Sequence, residues 1–322
     1  MPKTHGAKLP TVEELPDELR SCLQGFILTM ESQNKSPRTI VAYTEAVRTL
    51  ARYLKENKKP TDPRKITKPV LEGFFVDILK DYSAATANNR FRALQAFFSW
   101  AITEKEIRKN PMDNMKPPRV PDKPVPIIAE DDIVAMVHAC DGTGFRARRD
   151  KAIILVFLDT GVRLEELTNL QIADIDIDKK RITVTGKGNK TRTVGIGTNV
   201  AAALNRYLRV RARHRHSELA ELWLGPKGAI TKSGISDIVD RIARSVGIKV
   251  HPHQLRHSKA HYYLLNGGQE NDLRVNMGWE SRAMIARYAN STAQERAIGA
   301  HRTLSPADNI LKRSPRRNGS RG

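Results

Sequence analysis

The sequence predicts a mainly α-helical protein of two domains, with one small antiparallel β-sheet inside the second. Three observations carry this. Apolar residues recur at helical spacing through most of the first hundred positions. Six prolines fall within the nineteen positions 108–126, where neither helix nor central strand can run, because proline lacks the N–H and fixes φ. Alternating apolar and polar residues interrupted by glycines occur once, across ADIDIDKKRITVTGKGNKTRTVGIG. At 322 residues the chain also exceeds what a single core usually organises, so about two domains are expected.

Residues 1–13 read as a disordered lead, and 14–107 as a helical domain with segments near 14–33, 37–57, 67–81 and 84–104. The second segment opens with Ser36-Pro37, a cap residue followed by proline at the first helical position. Its Ile40, Val41, Tyr43, Val47, Leu50, Tyr53 and Leu54 recur at roughly helical spacing. In the fourth, Phe91, Leu94, Phe97, Phe98 and Ala101 form one stripe, which reads as core rather than as a base-stacking surface. The proline-rich stretch 108–126 reads as an extended basic linker and the domain boundary.

The second domain is expected over 127–311, with helices near 130–140, 147–160, 198–213, 231–246, 253–266, 269–276 and 281–290. Ile182 and Val184 alternate with polar neighbours, as do Val194 and Ile196, and GKGN supplies the turn between them. Residues 291–311 are amphipathic and suit docking on a neighbouring copy or on their own domain. The end, 312–322, is a low-complexity basic tail.

Charge narrows the function. Fifty-five Lys and Arg against 35 Asp and Glu give +20 and an isoelectric point near 10.1. A surface this cationic repels itself unless a polyanion screens it, and nucleic acid is the usual one. The excess is spread along the chain, so both halves are expected to contribute to binding. The two cysteines, Cys22 and Cys140, lack metal-ligand spacing and exclude a disulfide scaffold. No apolar run nears the ~20 residues that span a bilayer, and the start lacks a signal-peptide core. The expected location is the cytoplasm, at the nucleoid.

Cutting a DNA phosphodiester with a side chain requires a nucleophile, cations for the non-bridging oxygens, an acid for the leaving 5′ oxygen, and a base. The sequence offers no convincing paired-carboxylate site for a metal ion, so no metal or cofactor is expected. Four stretches supply side chains instead. In DTGVRLEELTNL, Arg163 stands at a helix start, where its planar fork can meet two phosphate oxygens, and Glu166 lies one turn on to orient it. In PHQLRHSKAH, His253 and Arg256 leave one helix face together behind Pro252. The hairpin tip TGKGNKTRT carries Lys187, with Lys190 and Arg192 beside it as phosphate contacts; chemistry alone does not rank Lys187 above Lys190. In MGWESRAMIARYAN, Trp279 and Tyr288 are nine residues apart, while Tyr262 and Tyr263 remain alternatives on composition alone. Arg90 and Arg92 in the first domain are further candidate DNA contacts.

Taken in order, Arg163, Lys187, His253-x-x-Arg256, Trp279 and Tyr288 resemble the signature of tyrosine recombinases, the Xer, phage-integrase and Cre-like enzymes. The likeness extends to SPRTIVAYTEAVRTLARYL, which resembles their SAM-like core-binding domain. It departs at Trp279, where most Xer and phage relatives carry histidine. The short interval from Lys187 to His253 leaves no room for the insertion of integron integrases. The resemblance implies that Tyr288 forms a 3′-phosphotyrosyl link, Arg163 and Arg256 clamp the phosphate, Lys187 protonates the leaving oxygen, His253 accepts or shares the tyrosine proton, and Trp279 braces the phosphate. It implies double-stranded DNA with paired half-sites as substrate and a tetramer on two duplexes, and it leaves room for an accessory protein. Integration, excision, transposition and resolution all fall within this chemistry. A type IB topoisomerase and a non-catalytic DNA-binding protein on the same scaffold are the alternatives.

Overall fold

In a computed structural model the described residues are 11–121, 125–186 and 190–313. The chain divides into two compact units, Met1–Lys123 and Pro124–Gly322.

The first unit is a helical bundle: α1 (Asp17–Ser32), α2 (Pro37–Glu56), α3 (Lys68–Asp81) and α4 (Ala84–Thr103). Ser36 and Ser83 cap α2 and α4, each hydroxyl accepting a backbone N–H three residues on, from Thr39 and Thr86. The stripe on α4 is buried: Leu94, Phe97, Phe98 and Ala101 are wholly enclosed, and Phe91 nearly so. Phe97 meets Phe26 of α1 edge-on at 5.5 Å, and Trp100 donates its indole N–H to Thr29 Oγ1 at 3.0 Å. Part of the proline-rich stretch is bound to the bundle rather than strung out from it. Met112 is buried in the core, Asn110 Oδ1 accepts its N–H at 2.9 Å, and Asn88 Nδ2 donates to the Pro118 carbonyl at 3.1 Å.

The second unit is built on α6 (Phe145–Thr160), which lies against α8 (Thr198–Arg211) and α10 (Pro252–Leu265). Its Ala152, Ile153, Ile154 and Val156 are fully enclosed. A three-stranded antiparallel sheet, β1 (Ile175–Asp176), β2 (Arg181–Thr185) and β3 (Thr191–Gly195), sits beside it with Ile182 opposite Val194. Ile182, Val184 and Val194 face the core, as the alternation requires. A short pair not foreseen from sequence, β4 (Leu224–Gly225) and β5 (Gly228–Ala229), lies further on. The remaining helices are α5 (Glu130–His138), α7 (Leu164–Thr168), α9 (Lys232–Ser245), α11 (Glu270–Met277), α12 (Arg282–Leu304) and α13 (Pro306–Arg313).

The greatest difference from expectation is α12, which does not end near 290 but continues to Leu304. Nothing in STAQERAIGAHRTL stops a helix before Ser305-Pro306. Beyond Arg296 the helix and its successor expose Ile298, Leu304, Ile310 and Leu311. Among the described residues no helix is long and apolar enough to cross a membrane. Most of the lead, 1–10, and most of the basic tail, 314–322, lie outside the described residues.

Candidate active site

Two left-handed glycines set the frame. Gly161 ends α6 at φ 60° and Gly278 ends α11 at φ 60°, a conformation in which a side chain is costly. At Gly161 there is also no room, since a Cβ would come 2.6 Å from Met277 Sδ and 2.9 Å from Lys259 Cγ. These turns aim two carbonyls inward. Buried Arg256 on α10 donates to both, to Gly161 O and, at 2.7 Å, to Met277 O. Burial, and then neighbouring Arg163, push its pKa down to about 10, which still leaves it a cation at neutral pH.

Arg163 is the residue that caps α7. Glu166, one turn on, accepts its backbone N–H at 2.7 Å and its Nη1 at 2.8 Å. Arg163 Nη2 donates to Gly278 O at 3.2 Å, tying the first arginine to the turn that precedes Trp279. Its side chain is 47% exposed against 2% for Glu166. Glu166 therefore acts as a fixed buried anion holding a cation at the rim. Burial alone would push its carboxyl up; the hydrogen bonds from Arg192 and from the Arg163 backbone outweigh that and hold it at about 2.

Arg192 was expected as a DNA contact, and the structure turns it inward. Its Nη1 and Nη2 each donate to Glu166 at 2.8 Å, and Nε donates to Asn276 O at 3.0 Å. The planar fork matches a carboxylate, and a buried carboxylate between two arginines binds it more strongly than solvent does. Arg192 thus joins β3 to α7 and α11. Lys187 lies outside the described residues. The hairpin ends on either side of it are in place: Gly186 N donates to Lys190 O at 2.8 Å, and a Cβ on Gly186 would stand 3.1 Å from Glu166 Oε1. Lys190 is exposed and pairs with exposed Glu280 at 2.7 Å, a contact that solvent makes weak. Of the candidates in the first unit, Arg92 is exposed. Arg90 is half-buried, donating to Thr49 Oγ1 and lying 4.7 Å over the Tyr82 ring.

The aromatic residues form a layered stack. The Arg256 guanidinium lies 5.7 Å over Trp279, and the indole stacks on Tyr288, 5.0 Å between centroids and 15° from parallel. Tyr288 is 1% exposed, and burial pushes its pKa up. Its hydroxyl is hydrogen-bonded to Nδ1 of His257, a residue the sequence reading did not single out although it stands next to Arg256 and one turn after His253. The His253 ring is 4.5 Å from that of His257, edge-on. Partial desolvation, then Arg256 and Arg163, lower the His253 pKa. The other two tyrosines are engaged elsewhere: Tyr262 donates to Ile128 O at 2.9 Å, and Tyr263 carries the Lys259 ammonium 4.3 Å over its ring. The fold therefore gathers Arg163, Glu166, His253, Arg256, Trp279 and Tyr288 into one site.

Comparison with known proteins finds a family match in each of the two units. Residues 126–295 match the Phage integrase family, and residues 22–107 match the Phage integrase N-terminal SAM-like domain. The chain is 30% identical over 249 residues to tyrosine recombinase XerC of Thermodesulfovibrio yellowstonii, covering 74% of this chain and 80% of that one. It is 29% identical over 273 residues to tyrosine recombinase XerA of Pyrococcus furiosus, covering 84% and 90%. Among solved structures, XerA recombinase aligns over 88% of this chain and 99% of its own at 27% identity, with a TM-score of 0.50. XerH recombinase bound to a palindromic difH substrate shares the fold with a TM-score of 0.70, covering 87% and 83% at 20% identity.

Proposed function

Since this chain belongs to the Phage integrase family and is a tyrosine recombinase, we propose that it recombines specific DNA sites through Tyr288. The observation that carries this is the stack of Arg256, Trp279 and Tyr288 beside the Arg163–Glu166 pair. One phenol stacked on a cation-bearing indole, with a second guanidinium at the Gly278 turn, supports this reading. In cleavage, Tyr288 Oη bonds the scissile phosphorus, the bond to the 5′ oxygen breaks, and the DNA is left on the enzyme as a 3′-phosphotyrosyl ester. Arg163 and Arg256 meet the non-bridging oxygens, whose negative charge grows in the transition state. Lys187, on the hairpin whose ends lie against Glu166, gives its proton to the leaving 5′ oxygen. His253 faces the same phosphate and shares the phenolic proton, and Trp279 offers its N–H. The ester conserves the energy of the broken bond, so a 5′-hydroxyl from a partner duplex reverses the step with a new end.

The substrate of this reading is double-stranded DNA with paired half-sites, met in the cytoplasm. The net charge of +20 supports DNA binding, with Lys190 and Arg92 among the contacts. The exposed apolar residues of α12 and α13 support self-association, as a tetramer on two duplexes. A topoisomerase on this chemistry would relax supercoils without joining two sites, and relatives named as Xer recombinases do not favour it.

The test is a nicked suicide substrate, in which the leaving strand diffuses away and traps the covalent complex. The wild type should accumulate a protein–DNA adduct that survives denaturation, and Tyr288→Phe should form none. An adduct from Tyr288→Phe removes Tyr288 as the nucleophile.

A further inference from the structure

The hydroxyl of Tyr288 has a partner that the proposed roles leave unused, Nδ1 of His257. His257 lies on α10 directly after Arg256, so the helix that carries the buried cation also carries this imidazole, rotated about 100° around the axis toward α12. Its ring is tilted against that of Tyr288, 36° and 5.6 Å between centroids. The charged and titratable groups around it are His253 and Arg256 from its own helix and Arg287 and Tyr288 from α12. Burial first, and then His253, Arg287 and Arg256, push its pKa down to about 4. At neutral pH it is an uncharged imidazole, with one ring nitrogen a donor and the other an acceptor. The buried phenol is protonated. The hydrogen bond then fixes where the proton and the lone pairs of Oη point.

Two contacts thus restrain the phenol in different ways. Trp279 fixes the plane of the ring, and a stack alone leaves the ring free to slide and the hydroxyl free to rotate. His257 fixes the hydroxyl. Attack on phosphorus requires an oxygen lone pair directed along the line opposite the leaving group, and a loosely held nucleophile loses much of the advantage of proximity.

Resting on the reading of Tyr288 as nucleophile, we infer that His257 is a positioning residue for strand cleavage, its Nδ1 holding the Tyr288 hydroxyl in the orientation from which Oη reaches the phosphate. On this account His257 orients the hydroxyl before attack, and His253 shares the phenolic proton as Oη bonds phosphorus. The sequence carries the signal in the i, i+4 spacing of the two histidines, which places both on one side of α10.

The test is single-turnover adduct formation on the nicked suicide substrate. His257→Leu, similar in volume but without an acceptor, should slow the adduct about 100-fold, with DNA binding by gel shift and thermal stability close to wild type. His257→Asn, whose Oδ1 lies near the place of Nδ1, should recover to within about tenfold of wild type. A second substrate with sulfur in place of the 5′ bridging oxygen separates the two ends of the reaction. Its leaving group needs no protonation, so it should restore cleavage to Lys187→Ala and not to His257→Leu. The inference is overturned if His257→Leu cleaves within threefold of wild type, if His257→Asn is no faster than His257→Leu, or if the sulfur substrate restores His257→Leu. Tyr288→Phe is run alongside. An adduct from that variant overturns the parent reading, whereas its absence together with a fast His257→Leu overturns only this one.

Discussion

Trp279 lies flat on the ring of Tyr288, 5.0 Å away and 15° from parallel. A histidine here would also offer an N–H, but a smaller face. The indole is 6% exposed and has the Arg256 guanidinium on it as well, so it holds that cation and the Tyr288 phenol together. Trp279→Ala should lower the rate of adduct formation by about 100-fold and cost about 3–5 kcal/mol in stability through the cavity left behind. Trp279→Phe, which keeps a flat though smaller ring and loses the N–H, should retain most of the stability and more than a tenth of the rate. Urea unfolding and suicide-substrate kinetics on the pair separate stacking from hydrogen bonding. Equal rates for the two variants would show that the N–H, not the stack, is what matters.

The two arginines should respond differently although both are proposed to meet one phosphate. Arg163 stands half-exposed on a buried carboxylate, so Arg163→Ala should cost about three powers of ten in cleavage with little change in thermal midpoint. Arg256 is 3% exposed and holds the carbonyls of Gly161 and Met277. Arg256→Ala should lose a similar factor in rate and also about 3 kcal/mol in stability, since buried carbonyls are left unpaired. Arg256→Lys should not restore activity, because an ammonium cannot reproduce the planar fork. Comparable midpoints for the two alanine variants would contradict the burial argument.

Glu166 gives a pH dependence with a definite sign. Its folded pKa is held at about 2, below the ordinary 4.5. A depressed carboxylate contributes stability above its unfolded pKa and loses it as pH falls toward the folded value. The contribution, on the order of 3 kcal/mol, should be complete at pH 7 and fade between about pH 4.5 and pH 2. Glu166→Gln should therefore be much less stable than wild type at pH 7, and the gap should shrink by more than half at pH 3. A gap unchanged across that window would mean that the Arg163 and Arg192 bonds do not depress the carboxyl.

Sequence and structure agree where the determinants are local. Ser36-Pro37 and Ser83 start helices through their own neighbours, and Ile182, Val184 and Val194 alternate because a strand's side chains do. Gly161 ends α6 and Gly278 ends α11 through their own positive φ, which is again a local property. What could not be read locally is pairing across the fold. Arg192 and Glu166 are 26 positions apart, and only the closing of the hairpin onto α7 brings them together, so an arginine that looked solvent-facing became the half-buried partner of a buried carboxylate. Arg90 differs for the same reason, through Thr49 on another helix. His257 was within the quoted motif, yet its significance arises from α12 folding back over α10. The run-on of α12 was missed because a helix continues wherever nothing stops it, and STAQERAIGAHRTL holds no proline.

Arg211, remote in sequence from every proposed catalytic residue, gives a prediction about stability alone. It closes α8 with its side chain 2% exposed and donates to four carbonyls of the loop that follows: Leu222 at 3.1 Å, Ser217 at 3.1 Å, Leu219 at 2.6 Å and Glu221 at 2.7 Å. A buried charge with no ion pair among the described residues is tolerable here because the carbonyl dipoles converge on it, and those carbonyls in turn depend on the guanidinium. Arg211→Met keeps the length of the side chain and removes every donor. It should cost on the order of 3 kcal/mol, which for a domain of this size lowers the thermal midpoint by about 5–10 °C. Arg211→Lys should recover only a fraction, since three donors on one nitrogen cannot reach carbonyls spread over six residues. Adduct formation at 20 °C should stay within about threefold of wild type for both variants, so calorimetry and suicide-substrate kinetics should move independently. If instead activity falls in step with stability, the loop after α8 is coupled to the site, and the carbonyl clasp is part of the catalytic scaffold.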